Sequence, residues 1–225
     1  MGQFAEIIEG LAIIFGGISF ISRKLSEENG AEFGDVIGKF MSAKDEREIE
    51  SVPVKSRTYR PKNMDDRVKL IVAMIHKYRE HPKIREIAAG IINKKCNGKW
   101  CINEKDWINE VSSVYDAVRE RVRYVRDVAN KDTYVNPVRT LGQFKIADCD
   151  DYSVTLGSLL QSIGYPLRVR IIQSLGNDDY NHVYLMVGIP PSNPRYWIPA
   201  DASMNWRFGK QAPKEIVMKK KDYEV

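Results

Sequence analysis

With only three cysteines in 225 residues, the chain has too few for a disulfide scaffold, and the odd count leaves at least one thiol free. That usage fits a reducing compartment, or a particle assembled in one. Long apolar runs are missing as well. The longest uncharged stretch, Gly10 to Ser22, falls short of the roughly 18–20 residues of a membrane span. Met1-Gly2-Gln3-Phe4-Ala5-Glu6 carries an acid where a signal peptide is basic, and Gly2 lacks the Ser or Thr at position 6 that myristoylation requires. Neither leader nor acyl anchor is expected. No charge of one sign dominates: 35 basic residues stand against 30 acidic ones, a net +5. Most of that excess falls in Lys55-Ser56-Arg57-Thr58-Tyr59-Arg60-Pro61-Lys62 and in Lys219-Lys220-Lys221, which read as solvated linker and tail. The aromatic-basic motifs of nucleic-acid modules are absent, so nucleic acid is not an expected partner. So are Gly-rich phosphate loops and His-Glu-x-x-His pairs, and neither cofactor nor metal is expected.

What is present is enough apolar residue, 43%, for one domain of about 150 residues and a smaller N-terminal element. Phe4, Ile7, Ile8, Leu11, Ile14, Phe15, Ile18, Ile21 and Leu25 recur at three- and four-residue steps, the pattern of a separate amphipathic helix. Three docking sites stay open for it: its own domain, a protein partner or second copy, and a membrane surface. Few basic residues flank its start, which counts against lipid. A polar stretch holding Pro53 and Pro61 follows. The expected organisation is therefore an attachment segment 1–41, a linker 42–63 and a domain 64–225.

Within that domain the periodicity predicts helices over Met64–Tyr78, Lys83–Asn93, Glu104–Arg126 and Asp148–Ile163, the last closed by Gly164 and Pro166. After Pro166 the period changes to two. Leu167–Gln173, His182–Ile189 and Arg195–Ala200 read as strands, with turns at Gly176–Asp179 and Pro190–Pro194. Helices first and an antiparallel sheet afterwards is an α+β pattern.

The chemistry concentrates in three residues that come in the order Cys149, His182, Asp201. Cys149 follows Asp148, whose capping-box relation to Asp151 places the thiol in a first helical turn. Unpaired N–H groups there favour a thiolate, while three nearby aspartates disfavour it, so an imidazolium has to supply the balance. His182 opens one strand and Asp201 ends the next. If the two strands are antiparallel neighbours, the carboxylate can hold one imidazole nitrogen while the other faces the sulfur. Each residue alone has a plainer reading: a small buried hydrophobe, a surface histidine, a turn former. Cys96 and Cys101 flank Asn97-Gly98. Two unmodified thiols are expected there, ahead of a local disulfide and of zinc with His76 or His81, since the gap is loose for a zinc knuckle.

Ala147-Asp148-Cys149-Asp150-Asp151-Tyr152, the helix ending in Gly164-Tyr165-Pro166-Leu167-Arg168-Val169, the strand at His182-Val183 and Trp197-Ile198-Pro199-Ala200-Asp201-Ala202-Ser203 together resemble the transglutaminase-like superfamily. Ala117 to Val125 is similar to that family's helix before the nucleophile, and the likeness spans roughly residues 105–205. It implies a papain/transglutaminase-like α+β core, with Cys149 as nucleophile, His182 as general base and acid, and Asp201 as orienter. Family members usually carry glycine where this chain has Ala147, a methyl that would narrow the approach to sulfur. Gln143, six residues before Cys149, matches the distance at which papain-like enzymes hold an oxyanion-stabilising glutamine. An exposed loop glutamine is the alternative, with the Cys149 backbone N–H as the other donor.

The resemblance implies a cysteine hydrolase, a peptidase or amidase, that passes through an acyl-thioester on a protein or peptide substrate. It also implies a phage-encoded chain, cytoplasmic or incorporated in a virion. Two alternatives stand beside this: a structural virion component docked through Phe4–Leu25, and a cross-linking transglutaminase, for which no calcium-site signature is present.

Overall fold

The computed structural model describes Ile37, Gly38, Met41, residues 61–127 and residues 132–225. The amphipathic segment Phe4–Leu25 and residues 42–60 of the expected linker lie outside the described residues.

Helix α1 (Met64–Arg79) starts where Asn63 accepts from the Asp66 N–H, and it buries Val68, Ile71 and Ile75. His81-Pro82 interrupts the helical path: Pro82 occupies the first turn of α2 (Pro82–Ile92), where its missing N–H costs nothing. A two-strand hairpin, β1 (Lys95–Cys96) and β2 (Lys99–Trp100), follows. Cys96 and Cys101 are bridged there, with Cα atoms 5.0 Å apart, which overturns the expectation of two free thiols. Asn97 and Gly98 both take left-handed backbone angles, so the turn brings the cysteines within disulfide reach.

Helix α3 (Trp107–Arg121) stops short of the predicted Arg126. Val122 leaves the helix with extended angles, and β3 (Arg123–Tyr124) pairs in parallel with β4 (Ile146–Ala147). Val125, inside the range predicted as helix, lies beyond β3 and is 43% exposed. Between them, a short α4 (Pro137–Arg139) capped by Asn136 runs into a π-turn at Thr140–Phe144.

Helix α5 (Cys149–Ser162) is the centre of the molecule and is buried along nearly all its length. It packs on α1, α2 and α3 on one side and on the sheet on the other. Gly157 permits the tightest of these contacts: a Cβ there would stand 2.7 Å from Ile75 Cδ1. Gly164, at φ +92, ends the helix where side chains with a Cβ are disfavoured.

The sheet runs β7 (Tyr196–Ala200), β6 (His182–Ile189), β5 (Leu167–Ser174), β8 (Val217–Glu224), all antiparallel. Leu167, Val169 and Ile171 of β5 face the helices. The central strand β6 is buried on both faces, because a second cluster of Ile172, Tyr184, Met186 and Ala212, with Trp197, Trp206 and Val217, covers the far side. Helices followed by an antiparallel sheet is the α+β order expected. Strand β8 was not: the lysine run taken for a solvated tail is an edge strand. Arg168–Glu224 (2.7 Å) and Arg170–Asp222 (2.6 Å) fix it to β5, while Lys219 and Lys220 stay exposed, as suits an edge that must not recruit another strand.

Candidate active site

Residues 145–149 carry the chain from the π-turn to the head of α5. Lys145, in the left-handed region, turns it into β4, and pairing with β3 holds the approach to the helix. Asp148 then caps α5, accepting from the N–H groups of Asp150 (3.0 Å) and Asp151 (3.1 Å). Cys149 is thereby the first residue of the helix and the free cysteine of the chain. The Tyr152 hydroxyl donates to the Val122 carbonyl, tying this first turn to the end of α3.

Strand β6 begins at His182, and β7 runs antiparallel beside it with Leu185 opposite Ala200. That register brings Asp201, one residue beyond β7, to the start of β6. His182 Nε2 lies 2.7 Å from Asp201 Oδ2. Asp201 is 1% exposed, and its other oxygen accepts from the Ser203 hydroxyl at 2.8 Å. With Nε2 engaged by a carboxylate, Nδ1 is left as the nitrogen able to accept a proton. Cys149 and His182 line the same cavity of about 700 Å³, and Cys149, Asp201 and Ser203 together line a smaller one beside it.

The electrostatics at sulfur oppose the thiolate. Burial pushes the Cys149 thiol well above its ordinary range, with the charges of Asp150 and Asp148 adding to the effect; the Val183 backbone N–H works the other way. The thiol donates instead to Asp150 Oδ1 at 3.6 Å. A free cysteine in this setting holds its proton until a base takes it.

The same burial acts on the carboxyls. Asp148 is raised to about 7, first by burial and then by Asp150. Asp151 is raised to about 8 by burial, against a hydrogen bond from the Val135 N–H at 2.7 Å. A carboxyl whose folded value lies above its unfolded one binds protons more tightly when folded. Its stability contribution is therefore full at low pH and is lost as pH rises toward the folded value. Each pH unit in that window is worth about 1.4 kcal/mol per group, and in a chain of this size 1 kcal/mol is about 2–4 °C. The melting temperature is expected to fall by about 5 °C between pH 6.5 and 8, and Asp151→Asn, which keeps the acceptor for Val135, should remove most of that slope. Calorimetry at both pH values on both proteins measures it.

Gln143 lies in the π-turn, where its Oε1 accepts from Arg139 at 3.0 Å, and it lines neither cavity. Ala147 is buried in the core cluster and is not part of the cavity wall either. Sequence reasoning missed Tyr124 in the wall, and Met204, Trp206, Ala212 and Ile216 from the loop before β8. Only Ser203, two residues past Asp201, left a local signal. Among the described residues no group of side chains has the makings of a metal site, and no helix is long and apolar enough to cross a membrane.

Residues 98–202 match the family model of the transglutaminase-like superfamily. The solved structures similar to this chain include these two. One, a candidate cysteine protease from Cytophaga hutchinsonii, is 14% identical, with 67% of this chain and 46% of that one covered and a TM-score of 0.43. The other, a candidate protease from Parabacteroides distasonis, is 12% identical, with 64% and 32% covered and a TM-score of 0.41. The chain thus spans less than half the length of either. No curated protein matches it. Residues 98–202, the segment that carries Cys149, His182 and Asp201, are a transglutaminase-like domain.

Proposed function

We propose that this protein is a cysteine-dependent hydrolase of peptide or amide bonds. Cys149 is the nucleophile, His182 the general base and then acid, and Asp201 the residue that orients the imidazole. The observation that carries this reading is the 2.7 Å pairing of His182 Nε2 with a carboxylate that is 1% exposed. A surface histidine has no need of so dry a partner, whereas a base that must present its other nitrogen to a thiol does.

The chemistry follows from the charges. His182 Nδ1 takes the thiol proton as sulfur bonds to the carbonyl carbon, since a standing thiolate is disfavoured beside Asp148 and Asp150. The imidazolium that forms faces the Asp201 carboxylate and returns its proton to the leaving amine. The acyl-thioester is then resolved by water that the same imidazole deprotonates. For the carbonyl oxygen, the Cys149 backbone N–H at the helix head is the donor favoured here, because Gln143 is engaged with Arg139. Water is preferred over an amine as acceptor because Asp127, Asp132, Asp148 and Asp150 in the cavity wall favour the protonated, unreactive form of an amine, whereas water needs only the imidazole.

A panel of peptides bearing electrophilic carbonyl traps, followed by intact-mass and fragment analysis, tests the reading. A single adduct on Cys149, lost in His182→Ala, is the expected result. Equal labelling in wild type and His182→Ala would overturn it and leave the fold with a non-catalytic role.

A further inference from the structure

Asp201 is almost wholly buried, so both oxygens of its carboxylate need donors inside the protein. One faces His182 and the other accepts from Ser203. The main chain around it is held separately, from α3. The buried Tyr115 hydroxyl donates to the Asp201 carbonyl at 2.8 Å and lies 3.0 Å from the Trp206 carbonyl. Arg119 donates to that same Trp206 carbonyl at 2.7 Å and to Asn205 Oδ1 at 2.6 Å. These contacts fix where residue 201 sits, but they do not fix the turn of its carboxylate about the Cβ–Cγ bond, a broad torsion. The hydroxyl on the far oxygen does.

Resting on the role proposed above for Asp201, we infer that Ser203 is a positioning residue whose hydroxyl fixes the plane of the Asp201 carboxylate and, through it, the tilt of the His182 ring. It touches neither sulfur nor imidazole among the contacts described, and it acts through the carboxylate. Removing the hydroxyl leaves Oδ1 without that donor. Negative charge then concentrates on the carboxylate, the imidazolium is better stabilised, and the histidine titrates at higher pH. The other ionisable groups around the shared cavity stay as they are. They are Arg67 from α1; Tyr124, Arg126 and Asp127 from β3 and the residues after it; and Asp132, Asp148, Cys149 and Asp150 at and before the head of α5. The Tyr184 ring, centred 5.8 Å from that of His182, is also unchanged.

The chain has three histidines, so an NMR titration of the imidazole protons resolves them, with His182 assigned by its loss in His182→Ala. In Ser203→Ala the His182 midpoint is expected to rise by about half a pH unit, and Ser203→Thr should restore it. Ser203→Val against Ser203→Thr repeats the comparison at matched volume, should the alanine variant fold poorly. A midpoint that is the same with and without the hydroxyl overturns the inference, as does an equal shift in Thr and Val. Failure of the catalytic reading shows elsewhere, as Cys149 labelling that ignores His182→Ala, and does not by itself alter the midpoint comparison.

Discussion

Cys149→Ala is expected to lower turnover of any amide substrate by about 10⁴–10⁶-fold while leaving the melting temperature within about 3 °C of wild type. The two halves have separate causes. Turnover falls because the remaining groups have no nucleophile to activate: the other two cysteines are bridged in the β1–β2 hairpin, and the Asp148 carboxyl is engaged in the helix cap. Stability holds because Cys149 lines a cavity and is only partly buried against the core, alanine suits a helix, and the Asp148 cap does not depend on the side chain at 149. Removing a thiol that donates to Asp150 at 3.6 Å costs little, since a thiol is a weak donor. Turnover of a peptide found by the electrophile panel, with calorimetry on the same samples, measures both. Retained turnover above about 1% of wild type would assign the nucleophile elsewhere.

How much of this was legible in the sequence depends on how local each signal was. The head of α5 was readable because a cap, a helix period and a terminating Gly164 all lie within one continuous segment. The pairing of His182 with Asp201 was readable because two strands joined by a short turn have few ways to lie other than side by side. Strand β8 was not. Its lysines carry no apolar alternation, and it is a strand only because β5 offers an unpaired edge and two arginines that match Asp222 and Glu224. The parallel pair of β3 and β4 joins residues 23 apart in sequence across a π-turn, and the helical period of α3 ran straight through its true end. The Asn97-Gly98 turn was legible, but the spacing of Cys96 and Cys101 does not say whether the two thiols it brings together are joined. The cavity wall drew on five separate stretches of chain, so its identity had to wait for the fold.

Asp201→Asn should lower turnover by about 10²–10⁴-fold, the second-largest effect expected, and its size depends on Ser203. The amide has one oxygen and one NH₂ where the carboxylate has two acceptors. Both present neighbours, His182 Nε2 and the Ser203 hydroxyl, donate to the carboxylate. In the variant the serine can rotate its proton away and accept from the NH₂, which leaves the amide oxygen for His182 and preserves the tautomer. What is then lost is the charge that stabilises the imidazolium, without the geometry. In the double variant Asp201→Asn with Ser203→Ala, nothing selects that amide orientation. Half the rotamers aim NH₂ at Nε2, which reverses the tautomer and turns the accepting nitrogen away from sulfur. The two substitutions should therefore be non-additive, with the double variant slower than the product of the single effects. Steady-state rates on the four proteins of the cycle decide it. Strict additivity would mean that the serine does not choose the orientation of residue 201, and a loss under tenfold in the single Asp201→Asn would remove that residue from the catalytic group.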